Sequence, residues 1–169
     1  MPGLFDPVDI GSLSLRNRIM RSATAERLGD PDTGAPLPQL ADLYRALAEG
    51  EVGLIVTGHA YVERSGRPHP EQCSIADDSV ISNWRKTIRP AQEAGARVMM
   101  QINHGGASCD PDVTPELLSP SGVGTHDRAK PREMSDEDVR RIVSAFARAA
   151  GRAQEAGLGD LRPHQLRHT

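Results

Sequence analysis

A chain of 169 residues, 37% hydrophobic and 25% charged, is long enough to form a core of its own and too apolar to read as disordered. With one Trp, two Tyr and two Phe, that core must be built from Leu, Ile, Val, Ala and Met, and few rings are left for stacking on bases. The net charge of −3 supplies no general attraction to nucleic acid or to an anionic membrane. No apolar run approaches the roughly 20 residues of a membrane span, and Met1 to Asp6 lack a basic stretch followed by an apolar one, so a cytoplasmic protein is expected. Cys73 and Cys109 belong to no CxxC pair, which points to two reduced thiols rather than a zinc site or a disulfide.

Taken in order, Leu4 to Leu15 alternate apolar and polar residues around Gly11-Ser12, the pattern of a hairpin. Asn17 to Thr24 reads as a short strand that ends in small residues, where a flat ligand can approach the backbone. After the Gly/Asp/Pro-rich loop from Gly29 to Pro36, Pro38 and Gly50 bracket a helix whose apolar face is Leu40, Leu43, Tyr44 and Leu47. Val52 to Gly58 is a second buried strand, again closing on a small residue. A helix starting near Asp77 or Asp78 carries Val80, Ile81, Trp84 and Ile88, and Pro90 within it predicts a kink or a restart.

The stretch Arg97-Val98-Met99-Met100-Gln101-Ile102-Asn103-His104-Gly105-Gly106 is the centre of the pattern. Its apolar start predicts a strand buried on both faces, and its amide and imidazole groups gather at the C-terminal end, where parallel α/β folds bind ligands. Residues 107–132 are too long for an ordinary connection and predict an excursion over one face. Ser135 with Asp138 at the third helical position opens a final helix that runs at helical spacing to Gly157. Strand, helix, strand, helix, strand, loop, helix is the order of parallel βα units. Ala91-Gln92-Glu93-Ala94-Gly95 and Ala153-Gln154-Glu155-Ala156-Gly157 end two helices alike, yet Leu158 to His164 contains Pro163 and no β-branched residue, and so suits a buried fourth strand poorly.

Several of these motifs lie in the order of a known family. Leu4-Phe5-Asp6-Pro7, Ile10-Gly11-x-Leu13-x-Leu15-x-Asn17-Arg18-Ile19, Val52 to Gly58, Gln101-Ile102-Asn103-His104-Gly105-Gly106 and Pro131-Arg132-Glu133-Met134-Ser135 resemble the old yellow enzymes, flavin-dependent NAD(P)H oxidoreductases, over about residues 4–157. The resemblance implies a (β/α)₈ TIM barrel holding FMN at the C-terminal ends of its strands, with hydride passing from NAD(P)H through the flavin to an activated alkene. It implies flavin contacts at Ala23 and Thr24 after the first strand, at Gly58 closing the second, and at Gln101, whose amide matches the pyrimidine edge. His104, of the same Gln-x-x-His motif, reads as a packed structural histidine, and no catalytic residue is assigned.

The chain also departs from that family. Ala25 and Arg27 stand where many members carry a flavin-tuning Cys or a substrate-contacting Tyr. The later strands, with their paired histidines and phosphate site, have no counterpart, and His164 and His168 lack the spacing to replace the pair. The expected architecture is therefore a truncated barrel of about three βα units with an N-terminal hairpin, residues 1–157, and an unrelated tail, residues 158–169. Pro163-His164-Gln165-Leu166-Arg167-His168-Thr169 resembles the His-x-Leu-Arg-His-Thr box of tyrosine recombinases, but the chain stops before a nucleophilic Tyr, so recombination is not expected. The expected partners are a flavin, a small-molecule acceptor and further copies of the chain meeting at the open barrel edge. A non-catalytic protein stabilised by a partner chain is the alternative.

Overall fold

The structure, a computed structural model, describes residues 1–124 and 130–159. The recombinase-like heptad and most of the expected tail lie outside those residues. β1 (Val8–Ile10) and β2 (Leu13–Leu15) form the hairpin, turning at Gly11, whose φ of +60° suits glycine. β3 (Met20–Arg21), β4 (Leu54–Val56) and β6 (Arg97–Met99) form a parallel sheet in that spatial order. β5 (Ala60–Tyr61) and β7 (Ile102–Asn103) continue the second and third barrel strands as a separate parallel pair. This is the opening portion of a βα barrel, unclosed among the described residues. β8 (Leu118–Ser119) and β9 (Arg132–Glu133) pair over the rim.

Each face of the sheet is covered by what its sequence supplies. Leu13 and Leu15 of the hairpin pack on Leu54 and on the half-buried Val56 and Met99. Arg16, the next residue, donates to the carbonyls of Ala48, Val52 and Ala94, and so ties the hairpin to both neighbouring helix ends. On the other face lie α1 (Pro38–Glu49), α2 (Ile81–Glu93) and α3 (Asp136–Glu155). Tyr44, Trp84, Ile88, Ala149 and Ile55 are fully buried between helices and sheet. Ser135 and Asp138 form the expected capping box. Arg132, followed by the Ser135 N–H and hydroxyl, holds the Asp138 carboxyl far below the usual carboxylate range.

Three details differ from the sequence reading. α2 runs unbroken through Pro90 to Glu93: the proline stands in the last turns and costs one bond to the carbonyl of Lys86, an exposed residue that water can serve. The first strand is two residues long instead of the eight from Asn17 to Thr24, because only β4 pairs with it. The third strand is not buried on both faces, since Val98 is buried, Met99 and Met100 are half-buried and Arg97 is exposed. β6 lies at the sheet edge, where no further described strand covers these side chains.

Candidate flavin site at the strand ends

Three parallel strands deliver their C-terminal residues to one rim. Beyond β3 come Ser22, Ala23 and Thr24; beyond β4 come Thr57, Gly58 and His59; beyond β6 come Met100 and Gln101. Thr57 is fully buried and joins two of these ends, its hydroxyl donating to the Gly58 carbonyl at 2.8 Å and accepting the Gln101 N–H at 3.3 Å. The Gln101 carbonyl in turn accepts the Ala60 N–H at 2.8 Å. Both backbone groups of Gln101 are thus satisfied while its carboxamide stays exposed, with no hydrogen bond to a described residue. Thr24 is exposed and Ala23 half-buried. A Cβ on Gly58 would lie 2.6 Å from the Thr24 carbonyl oxygen and would overlap the Glu26 carboxylate. The four residues expected to meet a flavin share this rim, and Thr24 and Gly58 touch.

Glu26 was not singled out by the sequence, yet it organises the site. One oxygen, Oε1, accepts from Arg21 Nη1 at 2.7 Å, from the Tyr44 hydroxyl at 3.0 Å and from the Gly58 N–H at 3.2 Å. The Glu26 and Arg21 side chains are 8% and 16% exposed, so this ion pair is largely shielded from water. Arg21 also donates to the Val56 carbonyl and lies over the Tyr44 ring. Burial first, then the Glu26 charge, raises the Tyr44 hydroxyl well above its ordinary value. The same two causes push the Cys73 thiol up to about 12, which leaves it protonated and inert. The one available signal was an acid placed between small residues and a helix that presents a tyrosine.

His104 sits where the third strand leaves the rim, its side chain 5% exposed. Its Nδ1 accepts the Gly106 N–H, so Nε2 carries the proton and faces Ser65 Oγ at 3.1 Å and Glu63 Oε1 at 3.4 Å. Glu63 also pairs with Arg141 of α3, which links the rim to the last helix. Burial, partly opposed by Glu63, lowers the pKa of His104. Gln72 bridges the two continued strands, donating to the His59 carbonyl and to Asn103 Oδ1.

Small residues beside an exposed primary amide at the C-terminal ends of parallel strands describe a seat for a flat, polar-edged ring. A family model described as NADH:flavin oxidoreductase / NADH oxidase matches residues 3–165. The chain belongs to that family. A probable NADH-dependent flavin oxidoreductase of Bacillus subtilis is 31% identical over 164 residues, which cover 95% of this chain and 44% of the relative. A metal reductase of Desulforamulus reducens is 34% identical over 156 residues, 91% of this chain and 23% of the relative. Among solved structures, morphinone reductase superposes with a TM-score of 0.83 at 25% identity, over 93% of this chain and 46% of its own. The chain therefore spans less than half the length of each of these relatives. This family member holds the N-terminal portion of the fold, and its described helices include none long and apolar enough to cross a membrane.

Proposed function

We propose that the chain carries the first part of the flavin site of an FMN-dependent NAD(P)H oxidoreductase of the ene-reductase kind. The observation behind this reading is the exposed Gln101 carboxamide, free of described partners, on the same rim as Gly58, Ala23 and Thr24. A primary amide offers one acceptor and two donors, which match the alternating C=O and N–H groups of the isoalloxazine pyrimidine edge. Bound FMN would take hydride from NAD(P)H and deliver it to an activated alkene. The chain's own part is to seat the ring: Ala23 and Gly58 leave room for it, Gln101 fixes its edge, and Glu26 holds the two loops together.

By itself the 169-residue chain binds FMN weakly or not at all and reduces no enone. Its four contact residues meet only part of the ring, and among the described residues we assign no cradle of backbone amides to the phosphate. Titrating FMN against the protein while following flavin fluorescence tests this. A yellow preparation with tightly held FMN, or NADPH oxidation that depends on cyclohexenone and is absent from a mock purification, would refute the inactivity. The second reading, a non-catalytic protein stabilised by a partner chain, is favoured by the position of β6 at the sheet edge. A folded protein that stays colourless with FMN even when its barrel is completed by the second half of a relative would favour it over the first.

A further inference from the structure

Where the loops after the first and second strands meet, the rim gathers groups that are, or can become, cations. Glu26 holds the Gly58 N–H, and the next residue, Arg27, has a φ of +54°, in the left-handed region where a side chain other than glycine's is uncommon and costs strain. The Arg27 side chain is 66% exposed, and its described ionic partner, Glu71, lies 4.0 Å away and is 44% exposed. A surface pair at that distance contributes little, and no guanidinium N–H of Arg27 donates a hydrogen bond to a described residue. Two histidines stand beside it. His59 follows Gly58, its ring centre is 6.0 Å from that of His69, and both line one recess with Arg27 and Glu71.

One carboxylate therefore faces all three groups, because the Glu71 oxygen near Arg27 also lies 3.4 Å from His69 Nδ1. At neutral pH Arg27 and Glu71 cancel. Of the other side chains around the recess, Glu26 is already paired with Arg21, the Cys73 thiol keeps its proton, and Trp84 of α2 is neutral. A proton on either imidazole thus leaves a positive charge without a described counter-charge. The His69 pKa records this: burial, then the charges of Arg27 and His59, lower it, and Glu71 only partly opposes them. An anion at this mouth supplies the missing charge, so the anion and a proton bind together. The recess decides where the anion sits. Within it Gln72 is 2% exposed, and its Oε1 has no hydrogen-bond partner among the described residues. That oxygen repels an anion, and the space is about 10 Å³, room for a water-sized group only. The anion is held outside, against the exposed guanidinium, whose parallel N–H groups fit the two oxygens of a carboxylate.

We propose that Arg27, His59 and His69 form a carboxylate site, and that the acceptor reduced at the neighbouring ring seat carries the carboxylate. Its identity as an acceptor rests on the flavin reading; the binding itself is measured without flavin. The complete 169-residue chain is titrated with cinnamate, with neutral methyl cinnamate and with inorganic phosphate, while the imidazole proton resonances of His59 and His69 are followed. Cinnamate should shift both to saturation, bind roughly fivefold more tightly at pH 6 than at pH 8, and raise the pKa of His69. The ester should do none of these. Arg27→Gln should weaken cinnamate binding roughly tenfold, and Arg27→Lys, which keeps the charge and loses the fork, should weaken it less. Arg45→Gln, exposed on α1, should change nothing.

Cinnamate that leaves both histidines unmoved, or moves them no more than its ester does, would overturn the proposal. So would an Arg27→Gln chain that binds cinnamate as tightly as the unchanged one. Phosphate binding more tightly than cinnamate would overturn it equally, because the mouth would then serve a phosphate. A barrel completed by the second half of a relative that takes up no FMN would count against the flavin reading and leave the carboxylate site standing.

Discussion

Replacing Glu26 with alanine tests whether one carboxylate holds the rim together. In the folded protein its Oε1 serves Arg21, Tyr44 and the Gly58 N–H, and the pair with Arg21 is largely buried. Removing it strands the Tyr44 hydroxyl, whose residue is 0% exposed, and leaves a guanidinium without its counter-charge. An orphaned buried donor costs about 1–3 kcal/mol, and breaking one side of a buried pair about 3–5 kcal/mol. These penalties overlap because one oxygen serves all three donors, so the expected loss is roughly 3–5 kcal/mol, or about 6–20 °C in melting temperature for a chain of this size. Glu26→Gln keeps an acceptor oxygen for Tyr44 and should lose roughly half as much. Urea denaturation of both variants, followed by circular dichroism, supplies the numbers. If Glu26→Ala unfolds within 1 kcal/mol of the unchanged protein, the ion pair does not organise the rim and the account given of Gly58 fails with it.

Other substitutions address separate parts of the fold. Gln101→Leu, placed in a barrel completed by the second half of a relative, should weaken FMN binding by roughly 1–3 kcal/mol; unchanged affinity by fluorescence titration would remove Gln101 from the ring edge. Gly66→Ala pushes a Cβ into the His104 ring, and a destabilisation of about 1–3 kcal/mol in urea is expected. Arg16→Met removes donors from three carbonyls at the helix ends and should cost roughly 2–3 kcal/mol by the same assay. Burial lowers the pKa of both His104 and His69, and for His69 the Arg27 and His59 charges add to it. The unfolded chain therefore binds those protons more readily, so stability should fall as pH drops below about 6.5. The slope measured between pH 5 and 7 should flatten when both histidines are replaced by Gln.

Where sequence and structure agree, the cause is local. Gly11 at the turn, Pro38 and Gly50 around α1, and Ser135 with Asp138 before α3 each act within four residues of the boundary they set, and so could be read from a short window. Pro90 misled because its effect depends on place. In mid-helix it would break the ladder, whereas near the end it removes a single bond. Little in the sequence marked Glu26, because its partners come from β3, α1 and the end of β4, and no periodicity brings those three segments together.

The most informative failure concerns the strands themselves. Val52 to Gly58 read as one buried strand and the apolar start of Arg97 to Gly106 as another, yet β4 stops at Val56 and pairing resumes as β5 at Ala60, while β6 stops at Met99 and pairing resumes as β7 at Ile102. Adjacent strands interrupt their ladder at the same level. There the Thr57 hydroxyl takes over, bonding to the Gly58 carbonyl and the Gln101 N–H. An unbroken ladder would have alternated side chains strictly between the two faces of the sheet. The paired interruption instead leaves Gly58 and Gln101 on the rim with their backbone groups satisfied and the Gln101 carboxamide exposed. Residue types could mark Gly58 and Gln101 as candidates through motif resemblance, but the irregularity that brings them to one rim depends on a hydroxyl more than forty residues away from Gln101. Replacing Thr57 with Val, which keeps the shape and deletes that hydroxyl, should therefore disturb Gln101 more than any neighbour on its own strand.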